Sequence, residues 1–255
     1  MNQIELYKEF KNYHFVGDAT EAITRGNNVI NDIKVEEPSP YLGEVARFIM
    51  LAYYKLATDA KADKKEYYEK GDQWWEISLQ HHKGSGDLGG LAMLLIPPAF
   101  KSLATNKNAP DIPNMLMGIF GALVEQSKKS VSDSILNHSD LERLHYEKMA
   151  YIAFRSNNYE DACNYYTEAI EVINSVMEGS EDMRRSLLKA QGGHILAIFG
   201  ATKDSDAVIE QLSNLIKDCG NGQSVKELKN IAEENFDKLN DDRSITANQL
   251  KPFEI

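Results

Sequence analysis

The stretch Tyr146-Glu147-Lys148-Met149-Ala150-Tyr151-Ile152-Ala153-Phe154-Arg155-Ser156-Asn157-Asn158-Tyr159-Glu160-Asp161-Ala162-Cys163-Asn164-Tyr165-Tyr166-Thr167-Glu168-Ala169-Ile170 decides the fold class. Before Ser156 the apolar positions Tyr146, Met149, Ala150, Ala153 and Phe154 recur at spacings of three and four. After Asn158, Tyr159, Ala162, Tyr166, Ala169, Ile170 and Ile173 fall at i, +3, +7, +10, +11 and +14, which is one face of a helix. Two amphipathic helices therefore meet at a turn. Asn157 is placed to close it, because asparagine tolerates the left-handed conformation that most residues avoid.

The same period extends in both directions from this pair, and no run of alternating β-branched residues bounded by turn pairs interrupts it. Helices are expected at about residues 2–15, 18–34, 140–156, 159–176, 181–201, 204–217 and 224–239, with others through Val45 to Tyr53 and Tyr67 to Ile77. Glu36-Glu37-Pro38-Ser39-Pro40 ends the second, since each proline disfavours helix in the residue before it. Ser139-Asp140-Leu141-Glu142 fits a capping box at the start of the 140–156 helix. Asn106 to Asn114 reads as the most linker-like stretch.

The opening stretch resembles a tetratricopeptide repeat, a helix–turn–helix unit of about 34 residues. The resemblance covers about 143–176. Tyr146 takes the place of the family's Trp, Met149-Ala150 of its Leu-Gly pair, Ala162 and Ala169 of its two alanines, and Tyr166 of its aromatic. The small residues Ala150, Ala162 and Ala169 stand where helices approach closely, and Phe154, Tyr159 and Tyr166 where the next helix must be reached. Ala153, Asn157 and Asn174 depart from the family's Tyr, Gly and Pro. Weaker echoes follow Ala52-Tyr53-Tyr54-Lys55-Leu56 and Ile195 to Ala207. The resemblance implies an all-α chain of antiparallel helix hairpins stacked as a short right-handed solenoid, since one repeat cannot bury its own face. The expected layout is one helical-repeat domain over 1–239, with a subdivision at the 105–114 linker, and a polar tail over 240–255.

Composition bounds the function. The 255 residues carry 28 Lys and Arg against 39 Asp and Glu, a net charge of −11. Nucleic-acid affinity comes chiefly from clustered cations, so no nucleic acid is expected as partner. The two cysteines, Cys163 and Cys219, are far apart and make neither a disulfide framework nor a metal site. Met1-Asn2-Gln3-Ile4-Glu5 lacks the basic and apolar regions of a secretory signal. A cytoplasmic location with reduced thiols is expected.

No catalytic motif emerges. Gly84-Ser85-Gly86-Asp87-Leu88-Gly89 matches G-x-G-x-x-G, but a dinucleotide site needs a preceding strand, and Trp74 to His82 reads as helix. A turn with Asp87 capping the next helix is expected instead. Glu142-Arg143-Leu144-His145 has the Glu-x-x-His spacing of di-iron bundles, which need a second such pair that this chain lacks. His81 and His82, adjacent on a helix, point in different directions. Neither a metal nor a cofactor is expected. Leu88 to Val124 is the most apolar segment and is expected to be a buried hairpin, kinked or broken at Pro97-Pro98.

A non-catalytic module that binds a protein or peptide on a concave helical face is the expected function. The resemblance implies that this face carries Lys148, Tyr151 and Arg155, with Arg47 and Lys55 at comparable places in the earlier echo. Cations gathered on one face of an acidic protein suit an acidic peptide or a carboxylate. One alternative is a helical enzyme or small-molecule binder with a pocket near Trp74, Trp75 and His81. Another is a membrane-active protein using residues 88–124, although a membrane is not the expected partner.

Overall fold

A computed structural model of the chain describes residues 3–5, 7–8, 19–32, 37–59, 64–105, 111–129, 136–176, 181–204, 207–208, 210–212 and 214–215. Among these the fold is all-α, and no residue is in a strand. Its helices include α1 (Ala19–Asp32), α2 (Pro40–Asp59), α3 (Lys64–Ser85), α4 (Leu88–Met93), α5 (Ile96–Thr105), α6 (Asp111–Ser127), α7 (His138–Arg155), α8 (Tyr159–Val176) and α9 (Glu181–Thr202). The expected helix at 224–239, the tail at 240–255 and most of the 2–15 helix lie outside the described residues. So do positions 106–110 of the expected linker, whose remaining residues, 111–114, open α6.

Local chemistry explains several boundaries. Pro40 opens α2, where a missing amide proton costs nothing because the first amides of a helix have no internal acceptor. Pro97 and Pro98 lie in the first turn of α5 for the same reason, and the break in the apolar segment falls just before them, at Leu94-Leu95. Asp87 caps α4 through its side chain, which accepts from the Gly90 amide. Asn157 closes the α7–α8 turn with φ +62°, the left-handed conformation its sequence position predicts. α7 begins at His138, one residue before the expected cap, Ser139. No described helix is long and apolar enough to cross a membrane.

The chain divides into two compact units, Met1–Pro98 with Ile119–His138, and Ala99–Gly118 with Ser139–Ile255. In the first, α2 is the central element. Leu42 and the run from Glu44 through Met50 are buried, so this helix is covered on every side rather than along one stripe. Ala19, Ala22 and Ile23 of α1 and Tyr7 complete the cluster around Val45, Phe48 and Ile49. α3 runs antiparallel to α2, in a register that sets Gly43 against the His82 ring and Gly71 against the Tyr54 ring.

In the second unit α8 and α9 form the corresponding antiparallel pair. Tyr159 lies on Gly200 and Tyr166 on Gly193. The two tyrosines are seven residues apart, as are the two glycines, so the register repeats after two turns. A Cβ on either glycine would collide with the ring it faces. Ala153 and Phe154 of α7, Ala162 of α8, and Ile195, Leu196, Ala197 and Phe199 of α9 share one buried cluster. Ala150, Ala162 and Ala169 are fully buried, as their small size suggests.

Candidate functional site

The sequence singles out five residues, and they lie in different surroundings. Arg47 and Lys55 belong to the first unit; Lys148, Tyr151 and Arg155 belong to the second.

Arg47 is not a surface cation. It sits inside the run of buried residues on α2, 8% exposed, and Nε and Nη2 donate to the two oxygens of Glu44, each at 2.8 Å. Burial opposes its charge, but the adjacent carboxylate and the paired hydrogen bonds outweigh that, so the guanidinium is held above its usual range. Its face of α2 is covered by packing, so Arg47 offers no donor to a partner at the surface. Lys55, two turns further on, is exposed.

The Arg47–Glu44 pair is one end of a buried polar chain that the sequence does not disclose. Glu44 Oε1 lies 3.6 Å from His82 Nε2, and His82 Nδ1 lies 2.9 Å from Asp87 Oδ2. Asp87 Oδ1 accepts from the Gly90 amide at 3.1 Å. The chain therefore ties α2, α3 and α4 together. Glu44 and His82 are fully buried and Asp87 is 2% exposed. Gly43 and Gly90 flank the His82 ring, and a Cβ on Gly43 would stand 2.7 Å from it. Nearby, Ser78 donates to the Gly43 carbonyl at 2.7 Å.

The histidine pair does diverge. His81 Nδ1 accepts from the Ser39 amide at 3.2 Å, while His82 turns inward. Trp74 packs against the first unit's core, and Trp75 Nε1 donates to the Leu94 carbonyl at 3.0 Å. Around the pocket expected near Trp74, Trp75 and His81, Trp75 Nε1 and His81 Nδ1 are thus engaged in holding segments together. The glycine-rich stretch follows α3, a helix, so the strand that a dinucleotide site requires is missing there.

In the second unit, three predicted residues converge on one structure. The Phe100 ring of α5 stacks on Tyr151 of α7 with centroids 5.3 Å apart and planes at 19°. Lys148 Nζ lies 5.6 Å from the Phe100 centroid, and Arg155 Cζ lies 5.8 Å from that of Tyr151. Positions 148, 151 and 155 follow the three-and-four spacing of one helix face. A cation over each member of a stacked ring pair is electrostatically favourable, because the ring faces are negative.

Beside this ladder lie groups that motif reading misses. Arg143 Nη1 donates to Glu147 Oε1 at 2.7 Å and to Ser186 Oγ of α9 at 3.2 Å. Its Nη2 is 4.0 Å from Asp140. Its Nε is buried with no acceptor among the described residues. Burial pulls the Lys148 ammonium below the usual lysine range; Glu147 opposes this, and the charges of Arg143 and Lys189 add to it. The Arg143–Glu147 spacing of four is the one signal the sequence carries. The contribution of α9, with Ser186 43 positions from Arg143, leaves no mark on local sequence. His145, of the Glu-x-x-His motif, is lowered in proton affinity by burial, against a hydrogen bond with the Met117 backbone and the charge of Glu142.

In the expected apolar hairpin, Ile112, Met115 and Ile119 of α6 are exposed at 53%, 57% and 45%, so that segment is not buried throughout. Compared with known proteins, the chain matches no family model, no curated protein and no solved structure.

Proposed function

We propose that this protein is a non-catalytic interaction module of the cytoplasm, and that its second unit holds an acidic segment of a protein partner against the Lys148–Phe100–Tyr151–Arg155 ladder. The reading takes α7, α8 and α9 as one and a half units of a right-handed tetratricopeptide-like array. The left-handed Asn157 turn and the repeating tyrosine–glycine register of α8 on α9 support it.

The observation that carries the reading is the ladder itself. Lys148 and Arg155 project from one face of α7, and neither has a carboxylate within ion-pair distance among the described residues. Arg47, by contrast, is already satisfied by Glu44. Cations held by rings instead of acids keep their donors for an incoming acceptor. Lys55 belongs to the other unit.

A fluorescein-labelled peptide of alternating Glu and Ala, followed by anisotropy, tests the reading. Binding should weaken at least tenfold in a Lys148→Met/Arg155→Gln variant and fall as salt rises. Equal affinity for the native and doubly substituted proteins would sink it.

A further inference from the structure

Helix α6 is apolar on two faces, and only one of them is covered. Met117, Phe120 and Val124 are buried. On the other side Ile112, Met115 and Ile119 are exposed. From Ile112 through Val124 the helix carries no charged residue, and Asn114 is its one polar side chain. A helix that is hydrophobic all round is normally covered all round. α6 is continuous over Asp111–Ser127, so its own geometry gathers these side chains on one face.

That face has a pattern of its own. Asp111, Met115, Gly118 and Ala122 follow one another at steps of four, three and four, the spacing of a seam that meets a second helix. Ile112 and Ile119, seven residues apart, flank the seam. Gly118 and Ala122 are exposed, and a Cβ on Gly118 would meet nothing within 4 Å among the described residues. Small residues at the middle of a seam let a second helix approach to about 8 Å, the close end of helix packing.

The ends of the face carry opposite charges. Asp111 opens the helix, and Lys129 follows its last turn, where its amide donates to the Gln126 carbonyl at 3.0 Å. Both residues are exposed. When a second copy lies antiparallel with each Gly118 opposite the other's Ala122, each Asp111 stands level with the other's Lys129, because both pairs are centred on position 120. One two-fold arrangement thus sets small on small and acid on base, twice. The antiparallel order also aligns the helix dipoles favourably. Met115 then meets the stem of Glu125, whose carboxylate is turned to Lys128 at 2.8 Å. A membrane surface is a poorer occupant, because helices that lie in lipid carry a polar face rich in Lys and Arg, whereas the opposite face of α6 is apolar and buried.

We propose that this face is a homodimer interface, in which α6 packs antiparallel on α6 of a second copy of the chain. The proposal is independent of the ladder. Two helices about 26 Å long make an interface at the small end of specific contacts, so a weak dimer is expected, with a Kd on the order of 10–100 μM.

Sedimentation velocity of the full chain, across about a hundredfold range of concentration centred on that Kd, tests it. The mass should climb from 28.7 kDa toward twice that value. Met115→Glu sets a second carboxylate against Glu125 and should weaken dimerisation at least tenfold. Asp111→Lys and Lys129→Asp should each weaken it severalfold, and the two together should restore it. All three positions are exposed, and thermal melting of each variant checks its fold. Ile119→Gln, on the same face, repeats the first test where Met115→Glu fails to fold. A mass of 28.7 kDa across the whole range overturns the dimer. Dimerisation that Met115→Glu and Ile119→Gln leave intact overturns the face. Single charge exchanges without effect, or a double exchange that fails to restore association, overturn the antiparallel register. A chain that stays monomeric yet floats with phosphatidylcholine vesicles, and loses this with Met115→Glu, assigns the face to a membrane and overturns the proposal.

Discussion

The two units treat charge in opposite ways. In the first, Glu44 and Arg47 lie inside a helix covered on all sides, and each charge meets an opposite one at hydrogen-bond distance. In the second, Lys148 and Arg155 rest on aromatic faces, and the nearby carboxylates serve Arg143 instead. A buried pair that satisfies itself has nothing left to offer a ligand, and its role is to fix how helices meet. A cation held by ring faces keeps its hydrogen-bond donors. The comparison therefore separates a charge its neighbours already satisfy from one that keeps its donors, and residue type alone does not make that distinction.

The largest expected effect tests the structural half. Arg47→Met leaves the Glu44 carboxylate fully buried without its guanidinium, and should cost about 3–5 kcal/mol in urea denaturation. The double variant Glu44→Gln/Arg47→Met removes both charges and should recover much of that loss. If the single change cost under about 1 kcal/mol, the pair would not be buried in the way that distinguishes this unit from the other.

The glycines make a smaller prediction, one that compares close packing in the two units. Gly90→Ala in the first unit and Gly193→Ala in the second each place a methyl group into a ring, His82 or Tyr166. Overpacking of this kind costs about 1–3 kcal/mol. Gly118 is a helical glycine of α6, and a methyl group added there would meet nothing within 4 Å among the described residues, so Gly118→Ala should stabilise by about 0.5–1 kcal/mol. Thermal melting of the three variants would check the ordering, and a stabilising Gly193→Ala would break the register assigned to α8 and α9.

Both predictions also mark how far sequence carries. The helical class, the Asn157 turn, the Asp87 cap and the outward reach of Tyr159 and Tyr166 depend on residues within a few positions of one another, and their local chemistry predicts them. Arg47 misleads because helical spacing gives a face but not what covers it. Only the packing of α1 and α3 around α2 turns an expected groove residue into a core one. In sequence His82 is no more than a poor metal partner for His81, yet its surroundings are Gly43, Glu44, Asp87 and Gly90, two of them about 40 residues distant. Lys148, Tyr151 and Arg155 are legible as a face of α7, whereas Phe100, Ser186 and Lys189 come from other helices and carry no motif.

Lys148 sharpens the comparison from the other side. A charge without a carboxylate in a half-buried setting works against folding, so Lys148→Met, which keeps the stem and removes the ammonium, should stabilise the protein by about 1 kcal/mol or less, with Tm rising by about 2–4 °C. Under the proposed function, the same change should weaken peptide binding. A drop in Tm of similar size would instead make Lys148 a structural cation like Arg47, and the contrast between the units would fail.

The smallest effect is pH dependence, because the groups responsible are only part-buried. Burial lowers the proton affinity of His145 and His194 in the second unit, and of His81 in the first, where the neighbouring His82 adds to it. In the unfolded chain these imidazoles titrate near 6.5. As pH falls through that value the unfolded chain takes up protons that the folded one resists, so the unfolded state gains. The associated stability is fully present above about pH 6.5 and is lost as pH falls toward the lowered values of the folded state. Urea midpoints between about pH 7.5 and 5.5, a range chosen to lie above the carboxylates, should therefore decline. His145→Gln and His194→Gln together should remove more of the decline than His81→Gln, because two of the three groups belong to the second unit. A decline that all three substitutions leave intact would place its origin elsewhere.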